Sequence, residues 1–245
     1  SGKAIIHNKF ILFSAVNSGE DLMRHVVLQT SSNFDDEATH RLQDMVVLHD
    51  RQLYHAYLDY WYSMMVLGKA DKLEHFDFFE MTTAHGRQKA WFYPKRKHGK
   101  ALDGDEVVDA LEKIEEAAGC TISFAHGKWD EDRMKVVEAL EQLMEDGAQI
   151  EIVTSDDIDK DVLEALVALD ASVNILDKDD LHLHTKFFLL DYPEGGKQRQ
   201  YVFTGSHNLT ERSLYKNFEV LLRLEDPSLF EAYQQYFVQL TKAQP

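Results

Sequence analysis

A short pattern of chemically distinctive residues occurs twice along this chain of 245 residues. Each copy has a histidine and a lysine two residues apart, followed by a serine and an asparagine two residues apart. The members are His7, Lys9, Ser31 and Asn33 in the first copy and His184, Lys186, Ser206 and Asn208 in the second. One such set can arise by chance, but two sets in the same order indicate a duplicated lobe.

The similarity between the two copies extends beyond these residues. A carboxylate, Asp44 in the first copy and Glu219 in the second, follows the asparagine by eleven residues in both. Further along, the aromatic segment 53–61 matches segment 229–237 position by position. Three matched blocks are poorly explained by accident, so we predict two homologous lobes.

The pattern of apolar residues predicts the fold class. Segments 121–125 and 149–153 read as buried strands, whereas 103–118 and 130–145 have helical spacing, and a terminal helix is expected at 228–240. Strands that alternate with helices indicate an α/β fold with mixed, mostly parallel sheets flanked by helices. The loops after parallel strands then gather at one edge of the sheet.

The two lobes are unequal in length. Only six residues precede His7, whereas about a hundred lie between the strand expected near Phe76 and His184. We therefore assign 1–72 to the C-terminal part of a first lobe that lacks its N-terminal part, and 73–245 to a second lobe. A half sheet exposes apolar edges and faces, so the missing N-terminal segment of the same protein is a candidate partner.

The composition limits the classes of function. The formal net charge is -17 at pH 7, which disfavours the basic groove that nucleic-acid-binding proteins present to phosphates. No run approaches the ~18 apolar residues that a transmembrane helix needs. Cys120 is the single cysteine, which excludes an internal disulfide. With 44% hydrophobic residues, the chain can bury a large core.

The repeated residues suit chemistry at a phosphorus centre. Residues i and i+2 of a strand project from the same face, so each histidine lies beside its lysine. The lysine can neutralise phosphoryl oxygens while a neutral imidazole attacks phosphorus, and the serine and asparagine supply further donors. Asp44 and Glu219 can accept the second N–H of a histidine and fix its tautomer. This set of residues requires no metal and no cofactor.

Two such lobes, facing each other across a pseudo-two-fold axis, bring both histidines to one phosphate. One histidine is then the nucleophile, and the other protonates the leaving alcohol and later activates water. His182 stands two residues before His184, but two histidines are too few for zinc, which takes three or four ligands.

The residues resemble the signature of the phospholipase D superfamily, His-x-Lys-x4-Asp followed by Gly-Ser-x-Asn. The second copy matches it fully, with Asp191 and Gly205 at the remaining positions. The first copy has Ser14 in place of the aspartate, Thr30 in place of the glycine and Asp44 in place of the later glutamate. This combination is similar to a bacterial, often exported branch of the superfamily, which favours an exported protein.

The resemblance implies a reaction and roles for these residues. It implies that both histidines are catalytic, that a covalent phosphohistidine forms, and that transfer to another alcohol competes with hydrolysis. His7 is then the nucleophile and His184 the acid and base, although the reverse assignment stays open. Asp44, Asp191 and Glu219 are supporting carboxylates, and Asp191 is expected to orient its own strand and turn.

Three functions remain open from the sequence. The first is a phosphodiesterase that acts on a phospholipid or another small diester, which the acidic charge favours. The second keeps the chemistry and takes nucleic acid as substrate, which the charge of -17 disfavours. The third is a pair of lobes that has lost catalysis and only binds, which the departures at Ser14 and Thr30 motivate.

Overall fold

The computed structural model describes residues 4–69, 75–169, 171–179 and 181–243. The elements of the first part are β1 (Phe10–Ser18), β2 (Asp21–Thr30), β3 (Arg41–Leu42), β4 (Met45–His49) and α1 (Arg51–Lys69). Strands β1, β2 and β4 form an antiparallel sheet in the order β1-β2-β4. Residue Gly19, with φ +64°, makes the tight turn between β1 and β2, a conformation that glycine adopts without steric cost.

The second part contains the remaining strands and helices. They are β5 (Phe79–Thr82), β6 (Gln88–Phe92), β7 (Arg96–Lys97), β8 (Lys100–Ala101), α2 (Glu106–Glu112), β9 (Thr121–His126), α3 (Met134–Glu145), β10 (Gln149–Ser155), α4 (Lys160–Ala168), β11 (Ser172–Leu176), β12 (His182–Leu183), β13 (Lys186–Glu194), β14 (Lys197–Gly205), α5 (Glu211–Tyr215), β15 (Val220–Leu224) and α6 (Pro227–Lys242).

One eight-stranded sheet organises the second part, in the order β11-β10-β9-β13-β14-β15-β6-β5. Strands β9, β10 and β11 pair in parallel, and all other neighbours pair antiparallel. The predicted α/β fold with a mixed sheet is confirmed. Antiparallel pairing is more frequent than the sequence predicts, because short turns such as Gly195-Gly196 can join only antiparallel neighbours.

Several predicted elements are shorter or divided in the structure. The helix predicted at 103–118 ends at Glu112, and the helix predicted at 130–145 begins with a 3-10 turn, Glu131–Arg133. His184 and Thr185 separate the short strand β12 from β13. The predicted boundary between lobes, at 72/73, lies outside the described residues.

Two apolar layers cover the eight-stranded sheet. Helices α2, α3 and α4 bury one face around Phe124, Trp129 and Phe188. Helices α1 and α6 bury the other face in a single cluster that includes Tyr60 of α1 and Phe237 of α6. Because α1, which follows the three-stranded first sheet, packs onto the sheet of the second part, the two motif copies are held in one continuous core.

The end of each part repeats the same arrangement. Strands β13, β14 and β15 followed by α6 correspond to β1, β2 and β4 followed by α1. Both helices begin at an aspartate whose Oδ1 accepts an amide three residues on: Asp50 from Leu53 at 2.8 Å and Asp226 from Leu229 at 2.9 Å. Such caps satisfy amides that have no partner within the helix.

The outer face of the first sheet is apolar and open to solvent. Ile11, Phe13, Met45 and Val47 are exposed there. Among the described residues, no helix is long and apolar enough to cross a membrane.

We predict that Tyr60→Phe lowers the free energy of unfolding by about 1–3 kcal/mol. The Tyr60 hydroxyl is fully buried and donates to the carbonyl oxygens of Tyr93 at 2.7 Å and Glu219 at 3.1 Å. Phenylalanine has no hydroxyl, so both carbonyl oxygens lose this donor. Urea unfolding measures the effect. The control is Tyr62→Phe in the same helix, where the side chain is 59% exposed and little change is expected. Equal stability of both variants would contradict the prediction.

Candidate active site

The two motif copies meet through their backbones. The amide of His7 donates to the carbonyl of Phe218 at 3.1 Å, and the amide of Phe218 donates to Ile5 at 2.9 Å. The amide of His184 donates in the same way to Leu42 at 2.8 Å. Each histidine segment therefore pairs in parallel with a segment of the other copy, which brings the two copies together at one place.

A buried carboxylate holds the first histidine. Nδ1 of His7 lies 2.8 Å and 3.0 Å from the two carboxylate oxygens of Glu219, which is fully buried. The hydroxyls of Ser206 and Ser213 donate to the same carboxylate at 2.6 Å and 3.1 Å. The sequence predicts a carboxylate beside a histidine, and the structure shows that the one beside His7 comes from the second copy.

The second histidine has a different environment. Nδ1 of His184 is buried and has no hydrogen-bond partner among the described residues. Burial lowers the pKa of His184 to about 2, and the nearby cations Lys186, Lys9 and Arg41, followed by His7, lower it further. The His184 ring is therefore uncharged at neutral pH.

The two motif lysines are buried, and Lys9 is close enough to lower the pKa of Lys186. Nζ of Lys186 donates to the carbonyl of His184 at 2.7 Å, and Nζ of Lys9 donates to the carbonyl of His7. Burial lowers the pKa of Lys186 to about 7, and the charge of Lys9 lowers it too. Burial likewise lowers the pKa of Lys9 to about 8, with Glu219 acting in the opposite direction and Arg41 in the same direction. These shifts describe a pocket in which burial outweighs the opposing effect of nearby carboxylates such as Glu219.

The motif serines brace the backbone. Oγ of Ser31 accepts the amide of Asp44 at 3.0 Å, and Oγ of Ser206 accepts the amide of Val220 at 3.1 Å. Both serines are fully buried. Asp44 therefore occupies in the first copy the position that Val220, and not Glu219, occupies in the second.

This register explains why Asp44 does not contact a histidine. Oδ2 of Asp44 accepts hydrogen bonds from Thr204 Oγ1 at 2.5 Å and from the Tyr233 hydroxyl at 2.8 Å. Both donors belong to the second part of the chain, on the side covered by α6. The expectation that Asp44 supports a histidine as Glu219 does is therefore wrong, because equal spacing in sequence does not give equal positions here.

The motif asparagines lie at the surface of the site. Asn33 and Asn208 are both half-buried, unlike the serines two residues before them. Oδ1 of Asn208 has no hydrogen-bond partner among the described residues. The NH2 groups of both side chains are hydrogen-bond donors of the kind that an anion accepts.

Asp191 lies away from the histidines. It is five residues beyond Lys186 on β13, roughly 16 Å at about 3.3 Å per residue. Its two oxygens accept hydrogen bonds from Gln198 at 2.6 Å and Gln200 at 2.9 Å on β14. Asp191 thus braces its own hairpin. Ser14, its counterpart in the first motif, is exposed on β1.

Two residues that the sequence analysis missed belong to the site. Arg41 lies on β3 opposite His182 and is close enough to lower the pKa of Lys9, His184 and Lys186. Ser213 on α5 donates to Glu219. No spacing or motif marks either residue. Within the described ranges there is no group of three or more His, Cys, Asp or Glu side chains that could hold a metal ion.

Comparisons with known proteins place this arrangement among related folds. A family model described as "Cardiolipin synthase, PLD-like domain" matches residues 110–241, more than half of the chain. No curated protein matches the chain. Phosphatidylserine synthase from Haemophilus influenzae Rd KW20 superposes with a TM-score of 0.60 at 12% identity, covering 98% of this chain and 62% of that chain.

Two further solved structures are similar. Polyphosphate kinase from Porphyromonas gingivalis has a TM-score of 0.55 at 15% identity, covering 98% of this chain and 35% of that one. Nuc from Salmonella typhimurium, a phospholipase D family member, has a TM-score of 0.46 at 15% identity, covering 66% of this chain and 93% of that one. The chain thus spans less than two thirds of the synthase and of the kinase, with which it shares a fold.

We predict that Gly205→Ala disrupts the support of Ser206 and lowers the free energy of unfolding by more than about 2 kcal/mol. A Cβ at Gly205 would lie 2.1 Å from the carbonyl oxygen of Val220, which also accepts the Ser206 amide at 3.0 Å. Thermal unfolding checks this. The matched control is Gly68→Ala in α1, where a Cβ meets nothing within 4 Å and better helix propensity should leave stability equal or higher.

Proposed function

This chain belongs to the family of phospholipase D-like domains described for cardiolipin synthase, and from that premise we propose that it cleaves or transfers a phosphodiester through a covalent phosphohistidine. The family supports phosphodiester chemistry. The observation that carries the proposal is the meeting of the two motif copies, with His7 and His184 beside two buried lysines. We further propose that residues 1–72 and 73–245 are the two homologous lobes.

The first step is attack by His7. Its Nδ1 faces Glu219, so a proton on Nδ1 leaves the lone pair of Nε2 for the substrate. Nε2 forms a bond to phosphorus while the bond from phosphorus to the leaving alcohol oxygen breaks. The proton on Nε2 of His184 moves to that oxygen. The phosphorylated ring of His7 carries positive charge, which the Glu219 carboxylate stabilises.

The second step releases the product. Nε2 of His184 takes a proton from water, the water oxygen bonds to phosphorus, and the phosphorus–nitrogen bond breaks with its electron pair returning to His7. An alcohol in place of water gives transfer instead of hydrolysis. The same site therefore supports both outcomes, according to which acceptor enters.

Binding of the phosphate prepares His184 for its first role. In the free protein its pKa of about 2 keeps the ring neutral, because burial and the cations around it oppose a further positive charge. A phosphodiester anion placed between Lys9 and Lys186 offsets those cations. We expect His184 to take up a proton as substrate binds. The amides of Asn33 and Asn208 complete the binding of the phosphoryl oxygens, while Ser31 and Ser206 brace the site.

A phospholipid or another small diester is the substrate class that we favour. The net charge of -17 repels a long polyanion, whereas a few buried cations suffice for one phosphate. Ile6, next to His7, is 59% exposed, and Phe34, next to Asn33, is 66% exposed. Exposed apolar side chains beside the motif residues suit an acyl or other apolar substituent.

We predict that His184→Ala traps a phosphoryl adduct on His7 when the substrate has an aryl leaving group, such as a p-nitrophenyl phosphodiester. An aryl oxide leaves without a proton, but the adduct then lacks the base that activates water. Intact mass and peptide mapping locate the adduct. His7→Ala should form none and should lose at least about a hundredfold in turnover.

The control variant is His182→Ala, which also removes an imidazole, two residues before His184. In this variant the phosphoryl adduct should still be hydrolysed. An adduct found on His184 in wild-type protein would reverse the two roles. Unchanged turnover in both His7→Ala and His184→Ala would refute the proposal.

We predict that anion affinity falls as pH rises from about 6 to about 9. The charged lysines bind the anion, and their pKa values of about 7 for Lys186 and about 8 for Lys9 mean that charge is lost as pH passes through that range. Sulfate is a suitable probe because its own charge is constant there. Calorimetry should show a loss of about tenfold in affinity.

Variants of single lysines distinguish the contributions of Lys186 and Lys9 to the pH dependence of anion affinity. In Lys186→Met the remaining decline should have its midpoint near the pKa of Lys9, about 8. Lys160→Met, which removes an 83% exposed lysine on α4, should leave the decline unchanged. Affinity that stays constant over this range would contradict the lysine assignment.

A further inference from the structure

The strand pairing of the two copies defines which residues correspond. In the first sheet Thr30 of β2 pairs with Met45 of β4, and in the second Gly205 of β14 pairs with Leu221 of β15. Thr30 and Gly205 hold the same motif position, one before the serine. Counting back two residues from each partner gives Gln43 in the first copy and Glu219 in the second.

The contacts between copies give the same correspondence independently. Leu183, one residue before His184, pairs in parallel with Leu42. Ile6, one residue before His7, pairs in parallel with Phe218. The residue after Leu42 is Gln43 and the residue after Phe218 is Glu219. Both registers thus place Gln43 beside His184 as Glu219 lies beside His7.

The direction of the side chains follows from this pairing. Leu42, Leu183 and Phe218 pack into the core cluster shared by α1 and α6. Neighbouring residues of an extended strand point to opposite sides, so the residues that follow them face away from this core. Glu219 makes its bond to His7 on that side. Asp44 faces the core instead, where it bonds Thr204.

We propose that Gln43 is the positioning residue of His184, with its side-chain amide oxygen accepting the Nδ1 proton of that ring. The half-buried Gln43 is already placed by its backbone, whose carbonyl accepts the Tyr236 hydroxyl at 3.0 Å. Nδ1 of His184 has no hydrogen-bond partner among the described residues. The catalytic consequence rests on the proposed function.

A neutral amide at this position distinguishes the two histidines. After burial, the groups that lower the pKa of His184 are the cations Lys186, Lys9 and Arg41, followed by His7, and the His182 ring lies 5.9 Å from the His184 ring. An amide oxygen fixes the tautomer of the ring without adding a negative charge. His184 then takes a second ring proton, on Nε2, only while a phosphate anion occupies the site. His7, in contrast, has the Glu219 carboxylate beside it in the free protein as well. The amide thus ties the acid role of His184 to bound substrate.

Nitrogen-15 NMR of the His184 ring tests the proposal without any substrate. The wild-type ring should be the Nδ1–H tautomer and should stay neutral down to about pH 5. Gln43→Ala should remove the tautomer preference. Gln43→Glu should raise the pKa of His184 by at least about one unit, because a carboxylate favours the charged ring. Ring signals that are identical in all three proteins would overturn the proposal.

Kinetics give a second readout. Gln43→Ala should lower kcat by roughly tenfold with KM changed less than about twofold, since the loss lies in orientation and not in binding. Gln43→Glu should recover part of that kcat and move the pH profile upward. A change in KM alone, or a pH profile of Gln43→Glu equal to that of wild type, would contradict the positioning role.

Asp44→Asn is the matched control. It alters the neighbouring residue, whose carboxylate bonds Thr204 and Tyr233, so unfolding temperature should fall while the His184 tautomer is unchanged. A tautomer change in Asp44→Asn equal to that in Gln43→Ala would assign the effect to general disturbance and refute the role of Gln43. Failure of the adduct experiment would refute the proposed function and leave the ring measurement intact.

Discussion

The buried carboxylate of Glu219 is the interaction on which the site depends. A fully buried charge requires hydrogen-bond donors, and Glu219 has three: Nδ1 of His7 and the hydroxyls of Ser206 and Ser213. These donors come from the first residues of the chain, from the end of β14 and from α5. One carboxylate therefore fixes the histidine of one copy, the serine of the other and the packing between them.

The cations of the site contrast with the acidic net charge of the chain. The whole chain carries -17, yet Lys9, Lys186 and Arg41 meet at one place with lowered pKa values at both lysines. Burying cations close together is unfavourable, and a bound phosphate offsets that cost. A long polyanion gains less, because most of its phosphates meet acidic surface. This contrast is the physical argument for a single small diester.

The sequence predicts much of this structure, but the expected alignment of Asp44 with Glu219 is wrong. The histidines and lysines, the mixed sheet and the bracing role of Asp191 could be predicted, since they follow from motif chemistry and periodicity. The Asp44 expectation fails because the spacing between copies changes: Asn33 and Asn208 are 175 residues apart, whereas Leu53 and Leu229 are 176 apart. That difference was visible in the sequence. Arg41 and Ser213 had no signal, because only tertiary packing brings them to the site.

The one-residue difference in spacing between the two copies gives the two histidines different surroundings. A perfectly symmetric pair would have equal environments, so both rings would tend to the same protonation state. Attack on phosphorus needs one ring with a free lone pair and one ring with a proton at the same moment. The shift turns Asp44 to the core, where its carboxylate accepts from Thr204, and leaves Gln43 at the position that we propose faces His184. The Glu219 carboxylate lies beside His7. The two copies build the pocket together, and the one-residue difference between them underlies the different roles that we propose for His7 and His184.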